Sequence, residues 1–255
     1  MPAKPKAGGP SMIEPPGPSR FARRILCNHI PVLTVSAILL FVFYLFTESP
    51  NPVYRGSIAT AYTGLVLLAA TLLTGPVNVL LNRPNPLSSD LRRDIGIWAG
   101  VVGIAHAVIG INVHFAGQFL KYFLAETNGR LTIRTNLFGF ANHTGLAATV
   151  LLVVLLITSN DYSMRLLGPK RWKIIQSANY ALFLLVAAHT VCYYIIEKRA
   201  ITYIVIGAVV TLATLAFQVA ALFKRCRNKS QRLDLPESRD TSQESQLQAQ
   251  AGGNN

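Results

Sequence analysis

The chain has 255 residues, of which 51% are hydrophobic and 14% are charged, and its net charge at pH 7 is +13. These proportions exclude an ordinary soluble globular protein and favour a membrane protein. The basic residues stand in short clusters between apolar runs, which predicts membrane topology and no nucleic-acid partner. Cys27, Cys192 and Cys226 lie far apart, so we expect isolated thiols rather than a disulfide framework or a zinc site.

Six apolar runs follow one another along the chain, each long enough to cross a bilayer as a helix. The predicted organisation is a disordered basic arm (1–24), a six-helix domain (25–226) with helices at about 31–47, 57–81, 95–117, 137–159, 177–197 and 200–223, and a disordered tail (227–255). The first run lacks a small-x-small cleavage site after it, so we expect a retained helix rather than a signal peptide. Gly75 and Pro76 should kink or end the second helix, and a short interfacial helix is expected in residues 117–126.

Lysine and arginine are distributed unevenly between the two sides of the membrane that the six predicted helices would cross. The N-terminal arm, the loops after the second and fourth helices, and the tail carry 18 of the 24, whereas the other three loops together carry 6. The positive-inside rule therefore predicts that both termini are cytoplasmic, in a multi-pass protein of the bacterial inner membrane.

Two histidines stand at matching depths in the third and fifth predicted helices. His106 lies about 12 residues, roughly 18 Å, from the charged inner edge of its helix, and His189 lies about as deep in the fifth. An ionisable ring at that depth is costly unless something binds it. Two imidazoles facing each other across a bundle are what axial ligation of a haem iron requires. The alternatives are histidines that hydrogen-bond between helices and a zinc site, which lacks further ligands at this depth.

Small residues surround both histidines in the sequence. They recur at spacings of three and four in the third helix and come just before His189 in the fifth: Gly96, Gly100, Gly103, Ala107 and Gly110, with Ala187 and Ala188. Small residues let a neighbour approach a helix closely, so we expect them to give a porphyrin, or another helix, room beside the two rings.

His114 and His143 share a level near the outer ends of the third and fourth helices. They are candidates for a second site that takes a metal, a quinone, FMN or an electron acceptor; interfacial rings that reach water are the alternative. His29, at the inner edge of the first helix, is expected to be structural or solvated.

A basic cluster lies in the inner loop that we expect at residues 165–173. It comprises Lys170, Arg171, Trp172 and Lys173. Such clusters fix topology and hold anionic lipid headgroups, and the functional alternative is docking of an acidic electron-donor protein.

The chain resembles the ferric reductase-like transmembrane domain family over about residues 57–200. The resemblance rests on RRDIGIWAGVVGIAH (residues 92–106), on ITSNDYSMRLLGPKRWKIIQSANYALFLLVAAH (residues 157–189) and on TGPVNVLL before the third helix. Within the family it is closest to the haem-binding membrane subunits of bacterial periplasmic methionine sulfoxide reductase systems. Family members bind b-type haem with histidines that match His106 and His189, so the resemblance implies one haem b here.

Two departures from the family pattern limit what the resemblance implies. Related members carry a further histidine for a second, cytoplasmic-side haem where this chain has Gln176, and the opposite position is Arg93. Members that use NAD(P)H carry a long C-terminal flavin and nucleotide module, whereas only a short tail follows the sixth helix here. We therefore expect no cytoplasmic-side haem and no direct use of NAD(P)H by this chain.

Together these observations predict an electron-transfer subunit rather than a complete enzyme. It would sit in the lipid bilayer and pass electrons from a quinol or a separate reductase to a periplasmic acceptor protein or metal. The rival functions are the membrane subunit of a ferric or other metal reductase with its flavin module on another chain, and a haem-less membrane interaction or assembly protein.

Overall fold

The computed structural model describes residues 20–82, 89–127 and 129–233, in which the chain forms a bundle of membrane helices and one small β-hairpin. The elements in chain order are α1 (Arg20–Arg24), a π-helical turn (Ile25–His29), α2 (Ile30–Phe46), α3 (Pro52–Leu80), α4 (Ser89–Phe115), a 3-10 turn (Phe119–Tyr122), β1 (Leu124–Thr127), β2 (Arg130–Ile133), α5 (Leu137–Thr158), α6 (Asp161–Ser177), α7 (Asn179–Ile196) and α8 (Ile201–Leu233). Six stretches of these residues are long and apolar enough to cross a membrane. The predicted fold class, an all-α six-helix membrane bundle, is confirmed.

Several helices differ from their predicted limits. The second and third membrane helices begin earlier than predicted, at Pro52 and Ser89, and the sixth continues beyond Phe223 to Leu233. The predicted arm is helical from residue 20, and the predicted tail is helical up to residue 233. The remaining parts of both, residues 1–19 and 234–255, lie outside the described residues.

The α3 helix is the centre of the bundle. It packs against α2, α4, α7 and α8, and its side chains are buried along most of its length. Its early start has a local cause, because Asn51 caps it by accepting hydrogen bonds from the backbone N–H groups of Val53 and Tyr54, while Pro52 fits the first helical position.

Pro76 lies inside α3, yet the helix continues to Leu80. A proline has no N–H to donate, so the carbonyl oxygen of Leu72, four residues earlier, loses its helical partner. The side chain of Gln218 in α8 replaces that partner, because its Nε2 donates to the Leu72 oxygen over 2.8 Å. Lys224 of α8 likewise donates to the Leu80 oxygen at the end of α3. These two bonds explain why the predicted break does not end the helix.

One end of the bundle is predicted to face the cytoplasm, and we call it the inner end. There, a buried carboxylate of α4 contacts residues of α1 and of the π-helical turn that follows it. Asp94 is fully buried and accepts hydrogen bonds from Arg24 and Asn28, and its Oδ1 lies 3.5 Å from His29 Nε2. His29 is thus structural, one of the two expected outcomes. A separate ion pair joins Arg93 of α4 to Asp161 at the start of α6.

The predicted loop at residues 165–173 is wrong, because these residues belong to α6. The helix is interrupted at Gly168, whose φ of 72° and ψ of 159° suit only glycine, and Pro169 starts the second half. From that second half, Trp172 donates to the carbonyl oxygen of Thr158 at the end of α5, and Gln176 donates to the Thr158 hydroxyl. The helical second half thus caps the end of α5.

The outer connection between α4 and α5 contains a 3-10 helix, Phe119–Tyr122, within the residues where a short interfacial helix was expected, followed by an antiparallel hairpin that was not predicted. Leu124 pairs with Ile133 in the hairpin. Arg134 fixes the hairpin to the bundle, because its Nε donates to the carbonyl oxygens of Lys121 and Leu124 while its guanidinium lies over the rings of Phe115 and Phe138. The outer ends of α4 and α5 therefore have an ordered cover.

Candidate cofactor site

A cavity of about 260 Å³ lies among α3, α4, α5 and α7. This volume is slightly below the usual range for ligand pockets, about 300–1,000 Å³. Its walls are mostly apolar, and its polar groups gather where α4 ends and α7 turns into α8. We call it the central cavity, and we call this polar end its outer end, after the predicted orientation.

His106 of α4 and His189 of α7 both line the central cavity. Their ring centres are 6.3 Å apart and their planes cross at 82°. Metal–imidazole bonds are about 2 Å long. The separation therefore leaves room for one metal atom between the rings, with each ring offering one nitrogen.

Backbone carbonyl groups orient both rings. His106 Nδ1 lies 3.1 Å from the Ser57 oxygen in α3, and His189 Nδ1 lies 2.8 Å from the Ala141 oxygen in α5. Carbonyl oxygens only accept hydrogen bonds, so each Nδ1 carries the proton and each Nε2 keeps its lone pair. Among the described residues neither Nε2 has a hydrogen-bond partner. This is the arrangement of metal-binding histidines, whose second nitrogen is usually held by a backbone carbonyl or a carboxylate.

Gly145 makes the position of His189 possible. A Cβ atom at residue 145 would lie 2.7 Å from His189 Nδ1 and 2.8 Å from its Cε1, closer than real Cβ contacts. Ala141, whose carbonyl holds the same ring, is one helical turn earlier on α5. One face of α5 thus supplies both the space and the hydrogen-bond acceptor for His189. The sequence reasoning missed Gly145 because it searched for small residues only on the helices that carry the histidines.

The small residues of α4 serve two purposes. Gly103, Ala107 and Gly110 line the central cavity, as expected. Gly100 and Gly103 also allow close packing on α5, since a Cβ atom there would lie 3.1 Å from Leu156 and 2.6 Å from Leu152, whereas a Cβ atom at Gly96 would be at ordinary contact distance from Thr71, 3.5 Å. Ala187 and Ala188 are absent from the cavity lining, where their neighbours Val186 and Thr190 stand.

A charged cluster closes the outer end of the central cavity. It consists of His114, Glu197, Arg199 and Tyr54, and we call it the outer cluster. His114 Nε2 lies 3.0 Å from Glu197 Oε1, Arg199 Nη2 lies 2.6 Å from Glu197 Oε2, and the Tyr54 hydroxyl is also a hydrogen-bond partner of Glu197. The Arg199 guanidinium lies 5.4 Å from the centre of the Tyr54 ring.

The Glu197 carboxylate stays ionised in this cluster. Burial raises its pKa, but the hydrogen bond from His114 and the positive charge of Arg199 lower it more, so the pKa lies below its ordinary value. Sequence reasoning found His114 and missed Glu197, which it placed at the end of the predicted fifth helix, and Arg199, which it placed in the loop between the last two helices. The acidic residue directly after an apolar helix was the available signal.

His143 does not join His114 at the cavity. His114 lines it and stacks on Tyr193 at 6.2 Å, whereas His143 lies outside the lining and contacts Phe123 at 5.5 Å. The described residues contain no group of three or more His, Cys, Asp or Glu side chains suited to a metal ion. The two nitrogens of His106 and His189 therefore fit a haem iron, which brings its own four equatorial ligands, better than a zinc ion.

The other predicted residues lie at the inner end. Arg93 and Gln176 are engaged with Asp161 and Thr158, as described above. Lys170, Arg171 and Lys173 are exposed, while Trp172 is half-buried. The three cations are thus free to meet lipid headgroups or a protein partner, and their docking role stays a prediction.

Comparison with known proteins gives matches over the segment that builds this site. The model of the family described as ferric reductase like transmembrane component matches residues 55–187, a range that includes His106 and ends just before His189. Two similar relatives are the protein-methionine-sulfoxide reductase heme-binding subunits MsrQ of Bordetella parapertussis and Bordetella bronchiseptica. Each is 31% identical over 164 residues, which cover 62% of this chain and 73% of the relative.

Proposed function

This chain belongs to the ferric reductase-like transmembrane component family, and from that premise we propose that it is a haem-binding membrane subunit of a redox system. The relatives named above are haem-binding subunits of a protein-methionine-sulfoxide reductase. A subunit of this kind passes electrons and depends on partners for the reaction itself. We propose the inner membrane of a bacterium as its location.

The observation that carries this proposal is the pair of ring nitrogens that face the central cavity. His106 and His189 approach each other to 6.3 Å, and a carbonyl group fixes the Nδ1 of each ring. We infer that both Nε2 atoms bind the iron of one b-type haem, one on each side of its plane. Ala107 and Gly110 line the central cavity and would leave space for the porphyrin edge.

The haem would supply reversible one-electron transfer. With two histidines on the iron, no open position remains for a substrate, so the site favours electron transfer over oxygen activation. The chain's own residues orient the ring nitrogens, exclude water through the apolar walls and keep the charged groups at the outer end. The aromatic rings of Tyr193 and Phe138 continue from His114 towards the outer hairpin.

For the electron route, we propose entry from a quinol within the bilayer or from a separate reductase, and exit to a periplasmic acceptor protein or metal. The central cavity extends to the outer end, where His114 and the 3-10 turn lie. At the inner end, ion pairs fill the level that a second haem would need. One haem near the outer side favours an acceptor on that side.

A reduced-minus-oxidised spectrum of the purified full-length protein from haem-replete cells tests the proposal. We expect a b-type band with about one haem per chain. His106→Ala and His189→Ala should each abolish the band, whereas His143→Ala should leave most of it because this ring lies outside the cavity lining.

The absence of a band from the wild-type protein would contradict haem binding and leave the haem-less interaction protein as the better reading. A band that survives in both His106→Ala and His189→Ala would mean that other residues bind the iron. Reduction of chelated iron, once a flavin reductase is added, would favour the metal-reductase alternative.

A further inference from the structure

The guanidinium of Arg199 is held inside the protein with donors to spare. Its side chain is 12% exposed and lines the central cavity. An arginine carries five N–H donors, and in the described residues only Nη2 has a partner, the Glu197 carboxylate. A buried cation of this kind is costly unless its remaining donors meet an acceptor.

Two other arginines at this end of the bundle, Arg55 and Arg134, donate hydrogen bonds to backbone carbonyl oxygens of the protein. Arg55 donates through Nε and Nη2 to the Tyr44 carbonyl oxygen and lies 4.2 Å from the centre of the Tyr44 ring. Arg134 donates to two carbonyl oxygens of the outer connection. Neither of them lines the central cavity, so Arg199 is distinguished by its position as well as by its open donors.

Arg199 shares the central cavity with both proposed haem ligands. All three side chains line it, and His106 and His189 face each other across it. The outer cluster stands about two helical turns beyond His106, since His114 follows it by eight residues, roughly 12 Å along α4. A haem side chain that extends from the porphyrin towards the outer end would therefore arrive beside this cluster.

Glu197 would repel a second carboxylate if its own charge were uncompensated. Its Oε1 lies 3.0 Å from His114 Nε2, and its Oε2 forms an ion pair with Arg199 Nη2 over 2.6 Å, although Oε2 has no hydrogen-bond partner among the described residues. Arginine can serve two carboxylates at once because its donors form a planar fork with separate edges. His114 thus acts as a positioning residue, since it shares the negative charge that Arg199 would otherwise neutralise alone.

We propose that Arg199 binds a propionate carboxylate of the haem held by His106 and His189. This inference rests on the proposed function and goes beyond it, because it names the residue that recognises the acidic edge of the cofactor. It also assigns the orientation of the haem, with its propionates towards the outer end of the cavity.

The test compares protohaem with its dimethyl ester, in which both propionates are esterified. Full-length protein purified from haem-deficient cells is titrated with each, and binding is followed by the b-type absorption band. We expect wild-type protein to bind the ester about tenfold more weakly than the free acid, the cost of one charge-assisted hydrogen bond. In Arg199→Gln, the two compounds should bind equally.

Lys198→Gln is the matched control, because Lys198 is the neighbouring cation, is exposed and does not line the cavity. The Lys198→Gln variant should prefer protohaem over its dimethyl ester by the same factor as the wild type does. If Arg199→Gln fails to fold, Arg199→Lys decides instead, since it keeps the charge and loses the planar fork, so it should discriminate less than the wild type.

Discrimination in Arg199→Gln as strong as in the wild type would overturn the inference. Equal binding of both compounds by the wild type would also overturn it. That result is expected if Arg199 binds a lipid headgroup or has no acidic partner. Failure of the wild type to take up either compound would overturn the proposed function itself, together with the inference. The failures of the two proposals are therefore distinguishable.

Discussion

In the outer half of the bundle α4 lines a cavity with His106 and His114, whereas in the inner half the same helix presents Arg93 and Asp94 to ion pairs. Both halves bring polar side chains into an apolar environment, where each needs a partner. The inner half pairs its charged groups with one another, although Arg93 Nε has no hydrogen-bond partner, and the outer half leaves two ring nitrogens and part of a guanidinium facing the central cavity. Unsatisfied groups that converge on one cavity indicate a ligand, while satisfied groups indicate a structural joint.

The same contrast bears on how many haems the chain holds. A smaller cavity does exist at the inner end, but charged side chains line it, among them Arg24, Arg93 and Asp161, and neither Trp172 nor Gln176 reaches it. A second haem there would have to break the Arg93–Asp161 pair, and among the residues that line this cavity His29 is the single imidazole, so a second ligand would be lacking. We therefore propose one haem, in the outer half.

The largest expected effect on haem content comes from adding a side chain at Gly145 of α5, where the His189 ring packs against the helix backbone. Gly145→Ala would place a methyl group against the His189 ring, which the Ala141 carbonyl holds in place, so we expect haem content to fall severalfold. The measurement is the ratio of haem absorbance to protein in purified samples. Gly75→Ala is the control, because a Cβ atom at residue 75 would meet nothing within 4 Å. Equal haem content in the two variants would remove Gly145 from the site.

The next effect concerns the inner half and should be one of stability. Asp94→Ala would leave Arg24 without its buried partner, which typically costs about 3–5 kcal/mol. We expect a large loss in the free energy of unfolding, measured by denaturant titration in detergent, with an unchanged haem spectrum in the fraction that folds. A shifted haem spectrum would show that the two halves are coupled.

The matched change at the Arg93–Asp161 ion pair should have a smaller effect. The side chain of Asp161 is 61% exposed, whereas that of Arg93 is 12% exposed, so Asp161→Ala removes a solvated carboxylate and should lower the free energy of unfolding less than Asp94→Ala in the same titration. A loss as large as that of Asp94→Ala would mean that the inner half depends on the Arg93–Asp161 pair, and the proposed difference between the two ion pairs would be wrong.

The Gln176→His variant sharpens the question of haem number. It restores the residue type that related proteins have at this position, yet Gln176 faces Thr158 and does not line the inner cavity. We expect the haem-to-protein ratio to stay at about one. A ratio near two would show that the inner half is a haem site that lacks one ligand.

The smallest effect is a pH dependence at the outer cluster. The pKa of Glu197 is lowered in the folded protein, so its ionised form stabilises the fold above its ordinary pKa of 4.5. This contribution should disappear as the pH falls below that value and Glu197 takes up a proton. Wild-type protein should therefore be more stable than Glu197→Gln at pH 7, and the difference should shrink towards pH 4. A difference that grows on acidification would contradict the ion-pair network.

Six apolar runs and the equal depth of two histidines were enough to predict the membrane bundle and to bring His106 and His189 together. Depth along a helix is readable from residue number, because each residue adds a fixed rise. The rotation of each helix about its axis and its choice of neighbours depend on packing, which no single run encodes. For that reason Gly145, on a third helix, escaped detection, as did the Arg199–Glu197–His114 network, which joins a helix end to a four-residue turn.

The helical second half of α6 and the central position of α3 were missed for related reasons. Gly168 and Pro169 read as a loop, yet the break they make is one residue wide and the helix resumes. The α3 run is no more apolar than the others; it is central because four helices pack on it. The continuity of α3 past Pro76 depends on Gln218, more than a hundred residues away, which local sequence rules do not cover.

The hydrogen bond from Gln218 to the Leu72 carbonyl oxygen also has a consequence for the order in which the helices assemble. The α3 helix leaves the ribosome before α8, so the carbonyl groups of Leu72 and Leu80 lack their side-chain partners until α8 has been synthesised. An unpaired carbonyl in hydrocarbon costs several kcal/mol, so we expect water, lipid headgroups or the insertion machinery to shield these groups until then. The α8 helix, made later, thus completes the hydrogen bonding of α3.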